Sequence, residues 1–373
     1  MEMQGLPDDT AGTDDVVSLP RSSQRRAGPS RLGSPRHHRV KSPRAAVALL
    51  LVLSACGSPA VATRTASAVP GTPTATALST PLPTPTPVPA LASPAMIQVE
   101  NSEFGRPQSG LGAANLVYEY VAEGGIGRFS LFFFGAPAAT QQVGPVRSAR
   151  TVTVQLASLY HAFLSYSGAS TYITGLLRRA SFPSFDETTA RGNLFRISAR
   201  AAPHNLYTNG QHIAALAGLA HLAPVGYQLW ARTTYPVGGV PIDAFTADVS
   251  PFEQPHFTWA PRLGGFTRTE STGPVLDPAT GAPVVLPTVI VQQVAVTTDP
   301  RVVDVAGHLG VDHRITGTGS AQVFTGGREY QATWTQPPSG PPQFTLADGT
   351  AAPISPGEVW ISLVPIGQPA VVT

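Results

Sequence analysis

The sequence has one cysteine and one lysine, and both lie within its first 56 residues. A single cysteine excludes an internal disulfide framework and any metal cluster held by several thiolates. Only 12% of the residues are charged, and 24 basic against 22 acidic residues give a formal charge of +2. Because 8 of the basic and 5 of the acidic residues precede Cys56, the chain after it is close to neutral. We therefore expect no nucleic-acid partner.

The single lysine begins a pattern that is typical of an export signal. After Lys41 come an arginine, the apolar run 45–53 and small residues leading to Cys56. The run is too short for a permanent transmembrane helix, which needs about 20 apolar residues. The tetrad Leu-Ser-Ala-Cys at 53–56 resembles the lipobox of bacterial lipoproteins, which predicts cleavage before the cysteine and its lipidation. The alternative is an ordinary signal peptide with a chance cysteine. Because the polar, arginine-rich segment before Val40 would make a very long n-region, we expect translation to start at Val40.

Composition divides the chain into four predicted segments. Residues 1–55 form the signal region. Residues 56–95 begin with the lipidated cysteine and continue in Pro, Thr, Ala and Ser, which cannot bury enough surface to fold and predict a disordered linker. Residues 96–244 are predicted to form an α/β or α+β domain, and residues 245–373 a small all-β module.

A strand is predicted at 117–123, where apolar and polar residues alternate with Glu119 and Glu123 on one face. The glycines at 124–125 then turn the chain into the apolar run 129–134, which is typical of a buried strand. Two carboxylates four residues apart on a strand lie about 13 Å from each other. Glycosidase carboxylate pairs lie roughly 5 to 9.5 Å apart, so we do not expect these two to form a hydrolytic pair.

A helix is predicted over residues 149–160, because Ser148 has the side chain and position of an N-cap and apolar residues at helical spacing follow. Arg147 and Arg150 would then flank the positive end of the helix dipole, where cations are disfavoured. Either the two glutamates of the predicted strand neutralise them, or the site holds an anionic ligand such as a carboxylate or phosphate. Internal ion pairing is the simpler of these two interpretations.

The next segment contains a predicted strand at 162–167, after which Ser170 is placed to cap a second helix. The Gly-x-Ser-x-Gly frame of a nucleophile elbow is absent, so Ser167 and Ser170 are interpreted as turn and cap residues. His204, in a loop beside Asn205, is the candidate catalytic residue, although a structural hydrogen bond is also compatible with its position. No His-Glu-x-x-His sequence occurs, and we expect no metal site and no cofactor.

The predicted second module consists of apolar runs, such as 289–296 and 359–364, separated by Gly and Asp turn signals. This pattern favours strands over helices. His308, Asp312 and His313 lie between two such runs and are interpreted as solvated loop residues rather than metal ligands.

Several polar motifs occur in the predicted first domain. They are Asn101 with Arg-Pro-Gln-Ser-Gly-Leu at 106–111, Val-Tyr-Glu at 117–119, Glu-Gly-Gly-Ile at 123–126 with Arg128, Gly-Pro-Val-Arg-Ser-Ala-Arg at 144–150, and Ala-Pro-His-Asn-Leu-Tyr-Thr at 202–208. The predicted second module ends in Gly-Glu-Val-Trp-Ile at 357–361. In this order the motifs resemble those of the YerB-like lipoprotein family, a two-module family of unknown function. Gly127 departs from the threonine expected before Arg128. The resemblance implies a lipoprotein and implies no activity.

We therefore expect a lipid-anchored cell-envelope protein on the outer face of the cytoplasmic membrane, which binds an anionic ligand or a wall-associated partner. Location alone suggests peptidoglycan fragments or a wall-modifying protein. The first alternative is a hydrolase or transferase that uses His204 as general acid or base and Arg147 and Arg150 to stabilise an oxyanion. We favour a protein that is not an enzyme. The second alternative is a non-catalytic scaffold.

The binding prediction names a specific set of residues. The predicted ligand-binding residues are Arg106, Glu119, Glu123, Arg128, Arg147, Ser148, Arg150, His204 and Asn205. Electrostatics further predicts that the two arginines beside the helix, one of the two strand glutamates and His204 meet on one face of the first domain.

Overall fold

The computed structural model describes residues 93–373, which are mostly β-sheet. The predicted signal region, Cys56 and nearly all of the predicted linker lie outside the described residues. Three α-helices occur in this part of the chain: α1 (Thr151–Leu159), α2 (Thr171–Arg179) and α3 (Gly210–Ala220). None of the helices within residues 93–373 has the length and hydropathy needed to cross a bilayer.

The strands of the described residues are numbered in chain order. The first eight are β1 (Ala95–Glu100), β2 (Leu116–Val121), β3 (Gly127–Phe133), β4 (Gln142–Val143), β5 (Phe163–Ser165), β6 (Ser184–Phe185), β7 (Phe195–Arg196) and β8 (Leu206–Asn209). The next seven are β9 (Val240–Pro241), β10 (Ala244–Thr246), β11 (His256–Ala260), β12 (Gly265–Glu270), β13 (Gly273–Pro274), β14 (Val285–Leu286) and β15 (Thr288–Val303). The last six are β16 (Leu309–Arg314), β17 (Thr318–Thr325), β18 (Arg328–Thr335), β19 (Gln343–Thr345), β20 (Val359–Pro365) and β21 (Val371–Val372).

Twelve of these strands form one mixed sheet. Its main order is β19-β18-β17-β15-β20-β2-β3-β1-β5-β6, with β16 beside β15 and β9 beside β18. β20 lies between β15 and β2 and runs parallel to both, so strands from before and after residue 244 share this sheet. All three helices lie before residue 221, but whether residues 96–244 and 245–373 form separate domains stays a prediction.

Two smaller sheets complete the described fold. A six-stranded sheet has the order β13-β12-β11-β10-β21, with β14 beside β12. A three-stranded sheet has the order β4-β8-β7, and α3 follows directly after β8. The predicted all-β character of residues 245–373 agrees with the strands observed there.

Both faces of the 12-stranded sheet contribute to apolar clusters. Successive side chains of a strand point to opposite sides, so neighbouring residues of one strand belong to different clusters. In β2, Val117 belongs to one apolar cluster together with Phe245 and Phe257 of the six-stranded sheet. Its neighbour Tyr118 belongs to the other cluster, together with Leu156 of α1. The helices α1 and α2 therefore cover one face, and the six-stranded sheet covers the other.

The predicted start of α1 is wrong by two residues. Arg150 is the N-cap residue, and Ser148 lies before it in extended chain, so Ser148 does not cap the helix. Backbone hydrogen bonds to distant elements explain the difference. Arg147 N–H donates to Gln98 O at 2.9 Å, and the Arg147 carbonyl accepts from Ser167 N–H at 2.9 Å. These bonds hold the chain extended until Arg150.

The predicted strand at 117–123 is also too long. β2 ends at Val121, and a 3-10 helix at Glu123–Gly125 joins it to β3. Gly124 and Gly125 have φ angles of 68° and 77°, a left-handed conformation that glycine adopts without steric cost. Glu123 therefore leaves the strand, and the prediction that it shares a strand face with Glu119 is wrong.

Asp312 and His313 are not solvated loop residues, contrary to the sequence interpretation, because both lie in β16. Asp312 is half-buried, and its Oδ1 accepts from Gln155 Nε2 at 3.0 Å. His313 is fully buried, with its ring edge-on to Tyr120 at a centroid distance of 5.5 Å. Burial lowers the pKa of His313 to about 3, so the ring is neutral. His308 does lie in an exposed turn, where its Nδ1 is 3.0 Å from Asp304 Oδ2.

Candidate anion-binding site

A pocket of about 400 Å³ lies where the N-terminal ends of α1 and α2 meet. Arg128 of β3 and Arg147 and Arg150 before α1 line it. Further lining residues come from the Glu123–Gly125 turn, from the start of α2 and from residues 302–305 at the tip of the β15–β16 hairpin. We call this cavity the arginine pocket.

The position of Arg150 is fixed by a buried polar network. Its backbone N–H donates to Thr153 Oγ1 at 3.0 Å. Thr153 Oγ1 also lies 3.1 Å from Gln98 Oε1 and 3.2 Å from Tyr120 Oη, and these three side chains are fully buried. Buried polar groups keep fixed partners because leaving one unpaired is costly. The first turn of α1 is thus anchored on the sheet.

The start of α2 lies at the same pocket. As predicted, Ser170 caps this helix, and its Oγ accepts from Ile173 N–H at 3.3 Å. Ala149 N–H donates to Gly168 O at 3.0 Å, which connects the segments before the two helices. A helix N-terminus carries a partial positive charge and unpaired N–H groups. Two helix N-termini at one cavity favour an anion there.

Acidic residues neutralise only part of the positive charge of the arginine pocket. Arg150 forms a hydrogen-bonded ion pair with buried Glu123. Arg147 Nε lies 3.5 Å from Glu100 Oε2, but this contact does not have hydrogen-bond geometry. Arg128 forms no ion pair with any residue in the range 93–373.

Arg128 is the most deeply buried arginine of the pocket. Its residue is 6% exposed, and its Nη1 donates only to the Gly127 carbonyl at 2.8 Å. Its Nε has no hydrogen-bond partner among the described residues. Burial, together with the charges of Arg150 and Arg147, outweighs the opposing charges of Glu100 and Glu123 and lowers the pKa of Arg128 to about 10, so it stays charged at neutral pH. A buried cation without an ion-pair partner is costly, and an anionic ligand would reduce that cost.

Glu100 connects the arginine pocket to His204. It is buried at the end of β1, opposite Arg128 in the β1–β3 pairing. Its Oε2 lies 2.8 Å from His204 Nδ1 and 3.5 Å from Arg147 Nε. Its Oε1 accepts from Ser102 Oγ at 2.6 Å. Arg147 and His204 therefore face the same carboxylate.

A second charged cluster lies between the 12-stranded and six-stranded sheets. Arg268 Nη2 of β12 lies 2.6 Å from Glu119 Oε1 and 2.8 Å from Glu270 Oε1. Arg106 Nε lies 2.6 Å from Glu270 Oε2, and its Nη2 lies 2.9 Å from Glu253 Oε1. We call these five residues the buried ion-pair chain, since all of their side chains are less than a tenth exposed.

Two carboxyl groups of the buried ion-pair chain, those of Glu119 and Glu253, have pKa values shifted in opposite directions. Burial alone would raise the pKa of Glu119, but the charge of Arg268 and hydrogen bonds outweigh it and lower the pKa. Glu253 stands at the other end, where burial raises its pKa to about 7 although Arg106 opposes the shift. Glu119 and Glu270 raise it further. Because three carboxyl groups face two guanidinium groups, Glu253 is the member that takes up a proton near neutrality.

The structure brings some of the predicted site residues together and separates others. The arginine pocket contains Glu123, Arg128, Arg147, Ser148 and Arg150. His204 adjoins the pocket through Glu100, whereas Arg106 and Glu119 belong to the buried ion-pair chain. Asn205 lies in a loop, where its Oδ1 accepts from Arg196 Nη1 at 2.7 Å. Among residues 93–373, no group of three or more His, Cys, Asp or Glu side chains is arranged to hold a metal ion.

The sequence interpretation missed Glu100 and Arg268. Glu100 ends a strand of mostly apolar residues directly before Asn101, and an acidic residue in such a strand was the available signal. Arg268 lies 149 positions from its partner Glu119 in the sequence. No local pattern predicts a pair at that separation.

Comparison with known proteins gives a family and a fold. Residues 80–222 match the model "Protein of unknown function (DUF3048) N-terminal domain", and residues 245–361 match the corresponding C-terminal domain. Over 289 residues the chain is 27% identical to "Putative lipoprotein YerB" of Bacillus subtilis (strain 168). The aligned region covers 73% of this chain and 81% of that protein. The crystal structure of the YerB protein from Bacillus subtilis matches with a TM-score of 0.64 at 24% identity, over 76% of this chain and 94% of that chain. This match shows a shared fold.

Proposed function

The chain belongs to the two-module DUF3048 family of YerB-like proteins, and we propose that it is a lipid-anchored cell-envelope protein that binds an anionic ligand in the arginine pocket. Two observations support the anchor. The tetrad at 53–56 resembles a lipobox, and the relative from Bacillus subtilis carries the name of a lipoprotein. An envelope location would bring peptidoglycan fragments and wall-modifying proteins within reach of the pocket.

The observation that carries the binding proposal is the state of Arg128. A charged guanidinium, nine-tenths buried, lines the pocket, and its Nε has no partner within residues 93–373. Purely structural arginines in this protein look different. Arg268 is likewise buried, yet its Nε, Nη1 and Nη2 all donate to carboxylates. This contrast supports the proposal that an anionic ligand supplies the acceptor of Arg128.

Native mass spectrometry of the full chain purified from membranes tests this proposal. We expect wild-type protein to carry a bound anionic compound and an Arg128→Gln variant to have lost it. Because the substitution removes an unpaired buried charge, its melting temperature should stay close to that of wild type. The matched control is Arg178→Gln, an exposed arginine of α2 that does not line the pocket. The proposal is wrong if Arg128→Gln retains the same bound mass as the control.

One observation favours a second candidate, a wall hydrolase or transferase. The carboxylate of Glu100 lies 2.8 Å from His204 Nδ1, and Nε2 has no hydrogen-bond partner among the described residues. A carboxylate on Nδ1 orients a histidine for general base catalysis through Nε2. Incubation of purified peptidoglycan with wild type and with His204→Gln tests this candidate. Equal product release by both proteins, or none by either, rejects it.

A further inference from the structure

Part of the wall of the arginine pocket is apolar and exposed. Ile126, Val303 and Val305 line the pocket, and they are 38%, 50% and 110% exposed. Val302 is buried beside them. Aliphatic side chains in a pocket wall are stabilised when the apolar part of a ligand covers them. The cavity therefore combines a cationic part with an apolar part.

This apolar wall is preformed by two turns that contact each other. The turn after β15 is fixed by Asp304, whose Oδ1 accepts from Ala306 N–H at 2.9 Å and His308 N–H at 2.8 Å. The His308 ring lies against Gly124, where a Cβ atom would come within 3.3 Å of its Nδ1. Ile126 on one turn and the valines on the other are thereby held beside the same cavity.

The net charge of the cavity favours a carboxylate over a phosphate as the head group of the ligand. Arg128, Arg147 and Arg150 face Glu123 and Asp304 among the lining residues, which leaves a formal charge of +1. The carboxylate of Glu100, 3.5 Å from Arg147 Nε, lies behind the wall and reduces the positive charge further, so a head group of low charge fits best. A carboxylate carries one negative charge, whereas a phosphate monoester carries about 1.5 to 2 at pH 7. The two oxygens of a carboxylate also match the parallel donors of a guanidinium group.

The volume of the cavity limits the size of the part that it encloses. At about 400 Å³, the cavity lies at the small end of the range of about 300–1,000 Å³ for small-molecule sites. Resting on the proposed function above, we infer that the ligand is an amphiphilic carboxylate, with its head group at Arg128 and its apolar chain along Ile126, Val303 and Val305.

Titration with acetate and octanoate, followed by NMR, separates the head group from the chain. The protein is the full chain with Cys56→Ser, made without export so that no lipid or detergent competes for the ligand. Because each buried methylene adds substantially to affinity, octanoate should bind at least about tenfold more tightly than acetate. Octyl phosphate has the same chain and a larger charge, and it should bind more weakly than octanoate.

Variants of the apolar wall give the second measurement. Val303→Ser with Val305→Ser should remove most of the preference for octanoate over acetate, because only Ile126 of the exposed apolar wall remains. The matched control is Val237→Ser, an exposed valine that does not line the pocket, and it should retain the full preference for octanoate.

The outcomes distinguish this inference from the proposed function. If acetate and octanoate bind equally and Arg128→Gln abolishes both, the pocket binds anions but the amphiphilic ligand is wrong. Tighter binding of octyl phosphate than of octanoate contradicts the carboxylate head group. If Arg128→Gln changes no affinity, or if neither acetate nor octanoate binds, both the inference and the proposed function fail.

Discussion

Replacing Arg268 with methionine should destabilise the fold strongly. The guanidinium is fully buried and contacts two carboxylates, those of Glu119 and Glu270. Removing one partner from a buried ion pair costs about 3–5 kcal/mol, because it leaves a buried charge uncompensated. Glu119 would still accept hydrogen bonds from Trp360 Nε1 at 3.0 Å and Ser362 Oγ at 2.8 Å. We therefore expect a loss near the middle of this range, about 4 kcal/mol.

Urea unfolding of the Cys56→Ser chain at pH 7 measures this loss, and thermal unfolding gives a second estimate. At roughly 2 °C per kcal/mol for a folded unit of this size, the melting temperature should fall by about 8 °C. The matched control is Arg196→Met. Its ion pair with Glu187 is 2.6 Å long, but the two side chains are 40% and 44% exposed. Such surface pairs contribute about 0–1 kcal/mol.

A double variant tests whether the loss is electrostatic. In Glu119→Gln with Arg268→Met, the charge on Glu119 is removed together with its partner, so we expect part of the stability to return. If Arg268→Met costs no more than Arg196→Met, or if the double variant is less stable than the sum of its single changes, the electrostatic reasoning is wrong.

Three further predictions concern pH dependence, packing and the anchor. The pKa of Glu253 is about 7 in the folded protein and 4.5 in the unfolded chain, so between these values the folded state holds a proton that the unfolded state releases. The free energy of unfolding of wild type should therefore fall by up to about 3 kcal/mol as the pH rises from 5 to 7. Urea titrations at several pH values should show this slope in wild type and not in Glu253→Gln. Gly210→Ala should destabilise the fold by about 1–3 kcal/mol in thermal unfolding, since its Cβ would lie 2.2 Å from Ala138 O. The control Gly218→Ala, on the same helix, meets nothing within 4 Å and should be neutral or stabilising by up to about 1 kcal/mol. Equal effects of the two substitutions would show that the close contact at Gly210 does not matter. Cys56→Ser should release the protein from membranes, and a variant that still pellets after salt and alkaline washing contradicts lipid anchoring.

Elements with a strong local signal were predictable from the sequence. The apolar runs of β3 and β20 and the serine cap of α2 were found where periodicity and capping rules placed them. The start of α1 was not predictable, because it depends on a bond from Arg147 N–H to Gln98 O in another strand. The position of β20 beside β2 could not be predicted either, since no local pattern specifies which strands pair across so long a separation in the sequence.

The candidate site was only partly predictable for a related reason. The helix-dipole argument pointed to Arg147 and Arg150 and to a need for negative charge nearby, and Glu123 does pair with Arg150. Sequence alone does not distinguish Glu119 from Glu123, because the 3-10 helix at Glu123–Gly125 takes Glu123 out of the strand, whereas Glu119 stays in it and pairs with Arg268. His313 was misjudged because one buried histidine among strand residues has no local signature that separates it from a loop histidine.

The insertion of β20 between β2 and β15 affects how the chain behaves while it is being made. Trp360 of β20 lies 241 positions after Glu119, its hydrogen-bond partner in β2. At about 5–20 residues per second, synthesis of that interval takes on the order of 10–50 s. Until then β2, and later also β15, presents an unpaired edge, and such edges readily pair with other chains. A chain that lacks β20 is therefore prone to aggregate, and it must be kept from pairing with other chains until β20 has been made.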